Sequence, residues 1–436
     1  MSWVPIARLL ADGRPSADSV VIRGGVAIAF GRFQADVAAA LAQLEGCTQA
    51  ALACEDSYLF AVGLLALLHV GAEVMLPPNT QPGTLGDLGV RVVDDAMLAA
   101  CPAAQGRFAP LDAERAKIIF HTSGSTGAPK RIEKTLGMLQ REAEALHAVW
   151  GAQLGRGPVL ATVSHQHLYG LAFRLLWPLS AGVVFDAVVD AVWETLLAKL
   201  RGDAVIISSP AHLGRLAGLE PVAASLRPSL IFSAGAPLSI DAARASQAIL
   251  GVLPTEIFGS TETGAMATRQ QSEGDEAWDL LPGAEIRLDA AGRMAVRSPY
   301  VDGWQQTEDL VERVADGFHF LGRADRIVKV EGKRVDLLAI EAALTALPWV
   351  EAAAVVALPG LPTRLGGLLV LTVAGHERLR ASGPFQFGRQ LRRALSAQME
   401  PAGLPRVWRF ADALPARALG KRHDAAIVSL FEASHP

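Results

Sequence analysis

Along most of this chain the apolar positions follow two alternating rhythms. Helical spacing governs 33–44, 58–69, 137–150, 192–199 and 242–250. Between these stand short runs rich in β-branched and aromatic residues, at 72–76, 90–93, 117–120, 183–185, 204–207, 230–233 and 256–258. Strands apolar on both faces and separated by helices predict largely parallel sheets covered by helices. From Leu281 the text changes. Runs at 284–288, 294–296 and 318–321 are separated by Gly and Asp turns, which predicts a small β-subdomain. After Arg323 comes a compact α+β segment, with strand 326–330, helix 337–347, strands 350–357 and 368–373, and helix 387–398. The predicted fold class is α/β. Residues 1–323 form a large N-terminal domain of parallel sheets layered with helices plus the β-subdomain, and residues 324–436 form a small α+β C-terminal domain.

Composition narrows the class without naming it. At 436 residues the chain exceeds what one ordinary core organises. A charged fraction of 19% beside 51% hydrophobic residues describes a well-packed globular protein. The net charge of −4 gives no electrostatic reason for a nucleic acid or an anionic membrane as partner. Three cysteines, Cys47, Cys54 and Cys101, fit small buried side chains in a reducing cytoplasm better than a metal or disulfide framework. The start lacks the basic and apolar segments of a cleavable signal. The most apolar window, 59–76, contains His69 and Glu73 and runs into Pro77-Pro78. It reads as a core helix leading into a strand, so a soluble cytoplasmic protein without stable membrane insertion is expected.

Candidate chemistry concentrates at Thr122-Ser123-Gly124-Ser125-Thr126-Gly127-Ala128-Pro129-Lys130, directly after the apolar run 118–120. Glycine lets backbone N–H groups turn toward an anion, and the hydroxyls and the lysine add donors and charge. Such a loop suits polyphosphate. It is not a Walker loop, because the GxxxxGK[ST] spacing is absent and Pro129 stands where that motif opens a helix.

The order of this loop strongly resembles the phosphate-loop signature of the adenylate-forming enzymes, the superfamily of acyl-CoA synthetases, adenylation domains and beetle luciferase. Four further blocks follow in that family's order. Ile257-Phe258-Gly259-Ser260-Thr261-Glu262 resembles its aromatic-Gly-x-Thr-Glu motif. Thr307-Glu308-Asp309-Leu310 resembles Thr-Gly-Asp-Leu, with Glu308 in place of the usual Gly. Gly322-Arg323-Ala324-Asp325-Arg326 and the following Gly332-Lys333 resemble the hinge block, and Leu419-Gly420-Lys421 resembles the terminal Gly-Lys motif. Ser233-Ala234-Gly235-Ala236-Pro237 is similar to the strand-loop that lies along the adenine.

The resemblance implies attack by a carboxylate on the α-phosphorus of ATP with loss of pyrophosphate, then transfer of the acyl group to a thiol. Two anions must meet, so cations and aimed donors matter more than a general base. By carry-over, Thr122, Ser123, Gly124, Ser125, Thr126, Gly127 and Lys130 would hold the β- and γ-phosphates. Thr261 would contact the α-phosphate and Glu262 would hold Mg²⁺. Gly235 and Ala236 would lie along the adenine, Phe258 and Gly259 would belong to the nucleotide-binding residues, Asp309 would accept from the ribose hydroxyls, and Arg323 would bind ribose or phosphate nearby. Lys421 would neutralise charge in the transition state. Asp325 would be the hinge of a mobile C-terminal lid that alternates between the two half-reactions, with the strand around Lys329 replacing Lys421 in the second. His167, in a His-x-x-Gly block, would stand at the carboxylate end of the acyl pocket. His165 reads as structural, and Phe173 and Trp177 suit pocket or core equally.

Specificity is less legible. Amino-acid-activating relatives place an Asp early in the pocket, and 163–182 contains no acid. An aryl or fatty acid is favoured, with an amino-acid-activating enzyme as the alternative. The acceptor is coenzyme A or a carrier-protein phosphopantetheine. Arg378, Arg380, Arg389, Arg392, Arg393, Arg406 and Arg409 could steer an acidic carrier protein or form a solvated face. A catalytically weak nucleotide-binding relative is the remaining alternative, because Glu308 could disturb Asp309.

Overall fold

The computed structural model describes residues 3–77, 80, 82–102, 104–123, 129–216, 218–273, 276–330, 333–358, 364–396, 399, 404–415 and 424–432. One sheet has five strands in the order Arg91–Val93, Gln49–Leu52, Glu73–Leu76, Lys117–Ser123, Pro129–Thr135. The first four are mutually parallel, and the last returns antiparallel to its neighbour. The apolar window resolves into a helix, Ser57–Val70, and the strand Glu73–Leu76. Asp56 caps the helix by accepting from the Tyr58 and Leu59 amides, and Gly71 ends it at φ 82°. Every residue from Ser57 to Leu68 is buried, which is why the segment is apolar all round. Among the described residues no helix is long and apolar enough to cross a membrane.

The second sheet has thirteen strands. Its centre is parallel: Phe185–Asp186, Val159–Ala161, Val205–Ser208, Leu230–Ala234 and Thr255–Ser260. Beyond Thr255–Ser260 it turns antiparallel through Gly264–Arg269, Trp278–Leu280, Gly317–Arg323, Gln305–Val314, Arg293–Arg297 and Glu285–Leu288. The predicted β-subdomain is therefore the antiparallel end of this sheet. It has its own buried cluster, including Met266, Trp278, Ile286, Met294, Val311 and Phe318. A larger cluster joins the two sheets, with Ile118 and Phe120 from one and Val159, Ile207 and Phe232 from the other. Between them it takes in Leu139, Leu146 and Trp150 of the helix Leu136–Trp150.

Residues beyond Arg323 build separate cores. One gathers Val330, Leu337, Ile340, Phe387 and Leu391, and another Ala354, Val356, Leu368, Ile427 and Phe431. Here the sequence reading needs correction. The strand is Arg364–Leu371, and Thr372 caps a helix that begins at Val373 and runs to Leu395 with a kink at Gly383. Its first half is mostly exposed, with Gly375 buried and only Leu379 packing on the core, so it lacks the apolar stripe that marks a helix in sequence.

Candidate active site

The phosphate-loop block opens at a hairpin. Lys117–Ser123 pairs with Pro129–Thr135 in the register Thr122↔Lys130 and Ser123↔Pro129. Gly124, Ser125, Thr126 and Gly127 lie outside the described residues. On the returning strand, residues of one parity face the second sheet. Lys130 places Nζ 2.8 Å from Oε1 of Glu262, although the two are 132 residues apart. Two residues on, Ile132 is buried, and then Lys134 donates from Nζ to the Glu262 carbonyl oxygen at 2.9 Å and the Tyr300 carbonyl oxygen at 3.4 Å.

Glu262 rides on a tight turn between Thr255–Ser260 and Gly264–Arg269, with Thr261 beside it. The Ser260 amide donates to Thr263 Oγ1 at 3.0 Å and the Thr263 amide to Ser260 Oγ at 3.2 Å, which closes the turn on itself. Gly259 is required by close approach, since a Cβ there would lie 2.1 Å from the Gly264 carbonyl oxygen. Beneath the turn, Glu142 accepts from the Ala265 amide at 2.8 Å, and the Tyr300 hydroxyl donates to the Ala265 carbonyl oxygen. Burial pushes the Lys134 ammonium down and the Glu142 carboxyl up, and each one's charge partly offsets the shift of the other. Lys134, Glu142 and Tyr300 were missed in the sequence. The available signal was a lysine on the buried parity of a strand.

The residues expected along the adenine gather at the carboxyl ends of neighbouring parallel strands, where ligands sit in such sheets. Ala234 pairs with Ile257, which sets Gly235 and Ala236 alongside Phe258 and Gly259. Gly235 is exposed at φ 93°, with open space where a Cβ would stand. The Phe258 ring packs edge-on against Trp278, Phe318 and Phe320, with centroids 5.0–5.4 Å away. Buried Glu256 locks this corner, accepting from the Leu238 amide at 2.9 Å and from Arg269 Nε at 2.8 Å.

Asp309 and Arg323 are direct cross-strand partners, with Nη1 to Oδ1 at 3.1 Å. Glu308 sits on the opposite parity and reaches Arg293 at 3.8 Å, so its charge is turned away from Asp309. Asp325 lies in the 3₁₀ turn Ala324–Arg326 that leaves this strand pair. Its neighbour Arg326 anchors in the C-terminal core through Glu341 at 2.6 Å and the Val355 carbonyl at 3.0 Å. Lys421 lies outside the described residues.

His167 precedes the short helix Leu168–Gly170 in an extended conformation, and burial pulls its imidazole down to about 4. His165 is structural. Its Nε2 donates to the Cys54 carbonyl at 2.8 Å, which leaves Nδ1 to accept from the Ser57 hydroxyl at 2.8 Å. Phe173 and Trp177 belong to the core, with ring centroids 5.1 and 5.9 Å from Phe232. A π-helical stretch, Leu171–Leu176, carries Phe173 and buries Arg174, whose guanidinium donates to the carbonyls of Val163, Asp186 and Val188. That arginine was also missed.

Among the described residues no group of three or more His, Cys, Asp or Glu could hold a metal. A lone carboxylate such as Glu262 suits Mg²⁺, which takes its other ligands from phosphate and water. In this structure that carboxylate is paired with the Lys130 ammonium at 2.8 Å.

The family model for AMP-binding enzymes matches residues 77–295. A 4-coumarate–CoA ligase of Rhodobacter capsulatus is 30% identical over 322 residues, covering 71% of this chain and 76% of its own length. An anthranilate–CoA ligase of Pseudomonas aeruginosa is 28% identical over 403 residues, covering 74% and 76%. The crystal structure of ATP-bound MatB from Rhodopseudomonas palustris shares the fold at a TM-score of 0.79 and 20% identity, over 98% of this chain and 99% of that one. The chain belongs to the AMP-binding enzyme family, within the adenylate-forming superfamily.

Proposed function

We propose that this enzyme activates an aryl carboxylic acid with Mg-ATP to an acyl-adenylate, releasing pyrophosphate, and passes the acyl group to a phosphopantetheine thiol. The observation that carries this reading is the meeting of Lys130 and Glu262, which brings two motifs from different sheets to one point. Thr122, Ser123, Gly124, Ser125, Thr126, Gly127 and Lys130 hold the terminal phosphates, and Thr261 the α-phosphate. Glu262 holds Mg²⁺, which supplies charge neutralisation at the phosphates when bound. Gly235, Ala236, Phe258 and Gly259 form the adenine wall. Asp309 accepts from the ribose hydroxyls, a task suited to a carboxylate with several lone pairs, and Arg323 steadies it. Lys421 neutralises the carboxylate and α-phosphate together. His167 stays neutral at the mouth of the acid pocket, so it can donate or accept without adding charge. Residues 324–436 act as the lid, pivoting at Asp325.

An uncharged ring fits the acid pocket better than an ammonium. The segment 163–182 carries no acid, and the next acids, Asp186 and Asp190, are buried against Lys199 at 3.1 and 2.9 Å. Both relatives named above are ligases of aromatic acids. Coenzyme A is the first acceptor to test, since both of those ligases form CoA esters. A carrier protein is the second reading, favoured by Phe385, 75% exposed in the same kinked helix as the exposed Arg380, Arg389 and Arg393. Three free cysteines fit a reducing cytoplasm. The deciding experiment is acid-dependent pyrophosphate release from Mg-ATP across aryl, fatty and amino acids. A signal confined to aryl acids is expected. Bound ATP with no release for any acid would favour the nucleotide-binding alternative.

A further inference from the structure

Lys134 is 3% exposed, under the turn that carries Glu262, and its ammonium meets that residue's carbonyl oxygen at 2.9 Å. Two other side chains hold the same turn from below. Glu142 takes the Ala265 amide and Tyr300 reaches the Ala265 carbonyl. Gly264 between them sits at φ 67°, and a Cβ there would stand 2.9 Å from the Tyr300 ring and 3.1 Å from Glu142 Oε2. Lys134 and Glu142 both belong to the arm that leaves the phosphate loop, the strand Pro129–Thr135 and the helix Leu136–Trp150. The arm thus grips the backbone of the turn, while Lys130 on the same strand contacts its carboxylate.

We infer that Lys134 is a positioning residue for adenylation: by anchoring the Glu262 carbonyl to the phosphate-loop arm, it fixes the Glu262 carboxylate relative to the bound phosphates. The inference rests on the proposed role of Glu262 in holding Mg²⁺. A buried ammonium costs free energy through lost hydration, and neutralising Glu142 alone could account for its presence. The direct bond to the carbonyl of the metal-holding residue is what a mere counter-charge does not require.

A charge-neutral pair of substitutions separates the two. Lys134→Met with Glu142→Gln removes one positive and one negative charge together, and Gln can still accept from the Ala265 amide. The field at the dication is therefore little changed, while the bond to Glu262 is lost. Relative to Lys134→Met alone, the double variant should regain thermal stability. It should still need about tenfold more Mg²⁺ for half-maximal pyrophosphate release, the scale of one charge-assisted hydrogen bond. KM for the acid should be unchanged. Calorimetry with a non-reactive ATP analogue should show the Mg²⁺-dependent gain in affinity reduced by about the same factor. In the nucleotide-free protein, amide exchange across residues 260–266 should quicken. If the double variant does not fold, Lys134→Arg, which keeps the charge but displaces the donor, should shift the Mg²⁺ requirement in the same direction. Wild-type Mg²⁺ dependence and exchange in a folded variant would overturn the inference while leaving the role of Glu262 intact. Absence of any Mg²⁺ dependence in the unmodified enzyme would overturn both.

Discussion

Glu262 is held twice, at its carboxylate by Lys130 and at its carbonyl by Lys134. Neither contact was read in the sequence, but both residues of the first were singled out there as candidate site residues. Lys130 and Glu262 stand in motifs whose order carries meaning, whereas a lysine four residues further along a strand reads as one more solvated charge. Replacing Glu262 with Gln keeps the shape and removes the charge, so pyrophosphate release should fall by about 10²–10³. A near-normal rate would show that the dication is held elsewhere. Glu308 teaches the opposite lesson: strand parity turns it toward Arg293, so a departure from the family pattern leaves Asp309 undisturbed. The histidines make a pH prediction. Burial lowers His165 to about 3 and His167 to about 4, below the ordinary value near 6.5. The unfolded chain therefore binds more protons in that window. Stability from these groups is complete above pH 6.5 and is lost as the pH falls toward 4. Tm measured from pH 7.5 to 4.5 should drop, and His167→Gln should make the drop shallower. An equally steep fall in the variant would contradict the assignment.

Elements with a clear apolar rhythm were read correctly to within a few residues, as at Leu136–Trp150 and Ile240–Leu250. Two kinds of element were not. The first half of the helix Val373–Leu395 is mostly exposed and shows no apolar stripe, and the π-helical stretch Leu171–Leu176 shifts its hydrogen bonds from four residues to five, which the apolar spacing does not reveal. Tight turns leave a better trace through glycine, and Gly264 is the sharpest case. Gly264→Ala combines an unfavourable φ with overlap against Tyr300, so a loss of about 2–4 kcal/mol is expected. Calorimetric unfolding measures it, and an unchanged Tm would mean that the turn relaxes at little cost.

At the scale of the molecule, the separate cores on either side of Arg323 suit a lid that moves as a unit. The two poses proposed for such a lid can be tested one at a time. Lys421→Ala should abolish adenylation yet still convert a supplied acyl-adenylate to thioester. Asp325→Pro, by fixing φ at the pivot, should keep adenylation and impair transfer. Equal damage to both half-reactions in both variants would leave no support for alternation. The seam between the sheets has a consequence for how the protein is made. A ribosome releases the arm bearing Lys130 and Lys134 first, and the residue that they hold emerges 132 residues after Lys130. At ordinary rates of synthesis that interval is on the order of ten seconds. Throughout it Lys134, which ends 3% exposed under the turn, stands on a strand whose covering turn has not yet been made.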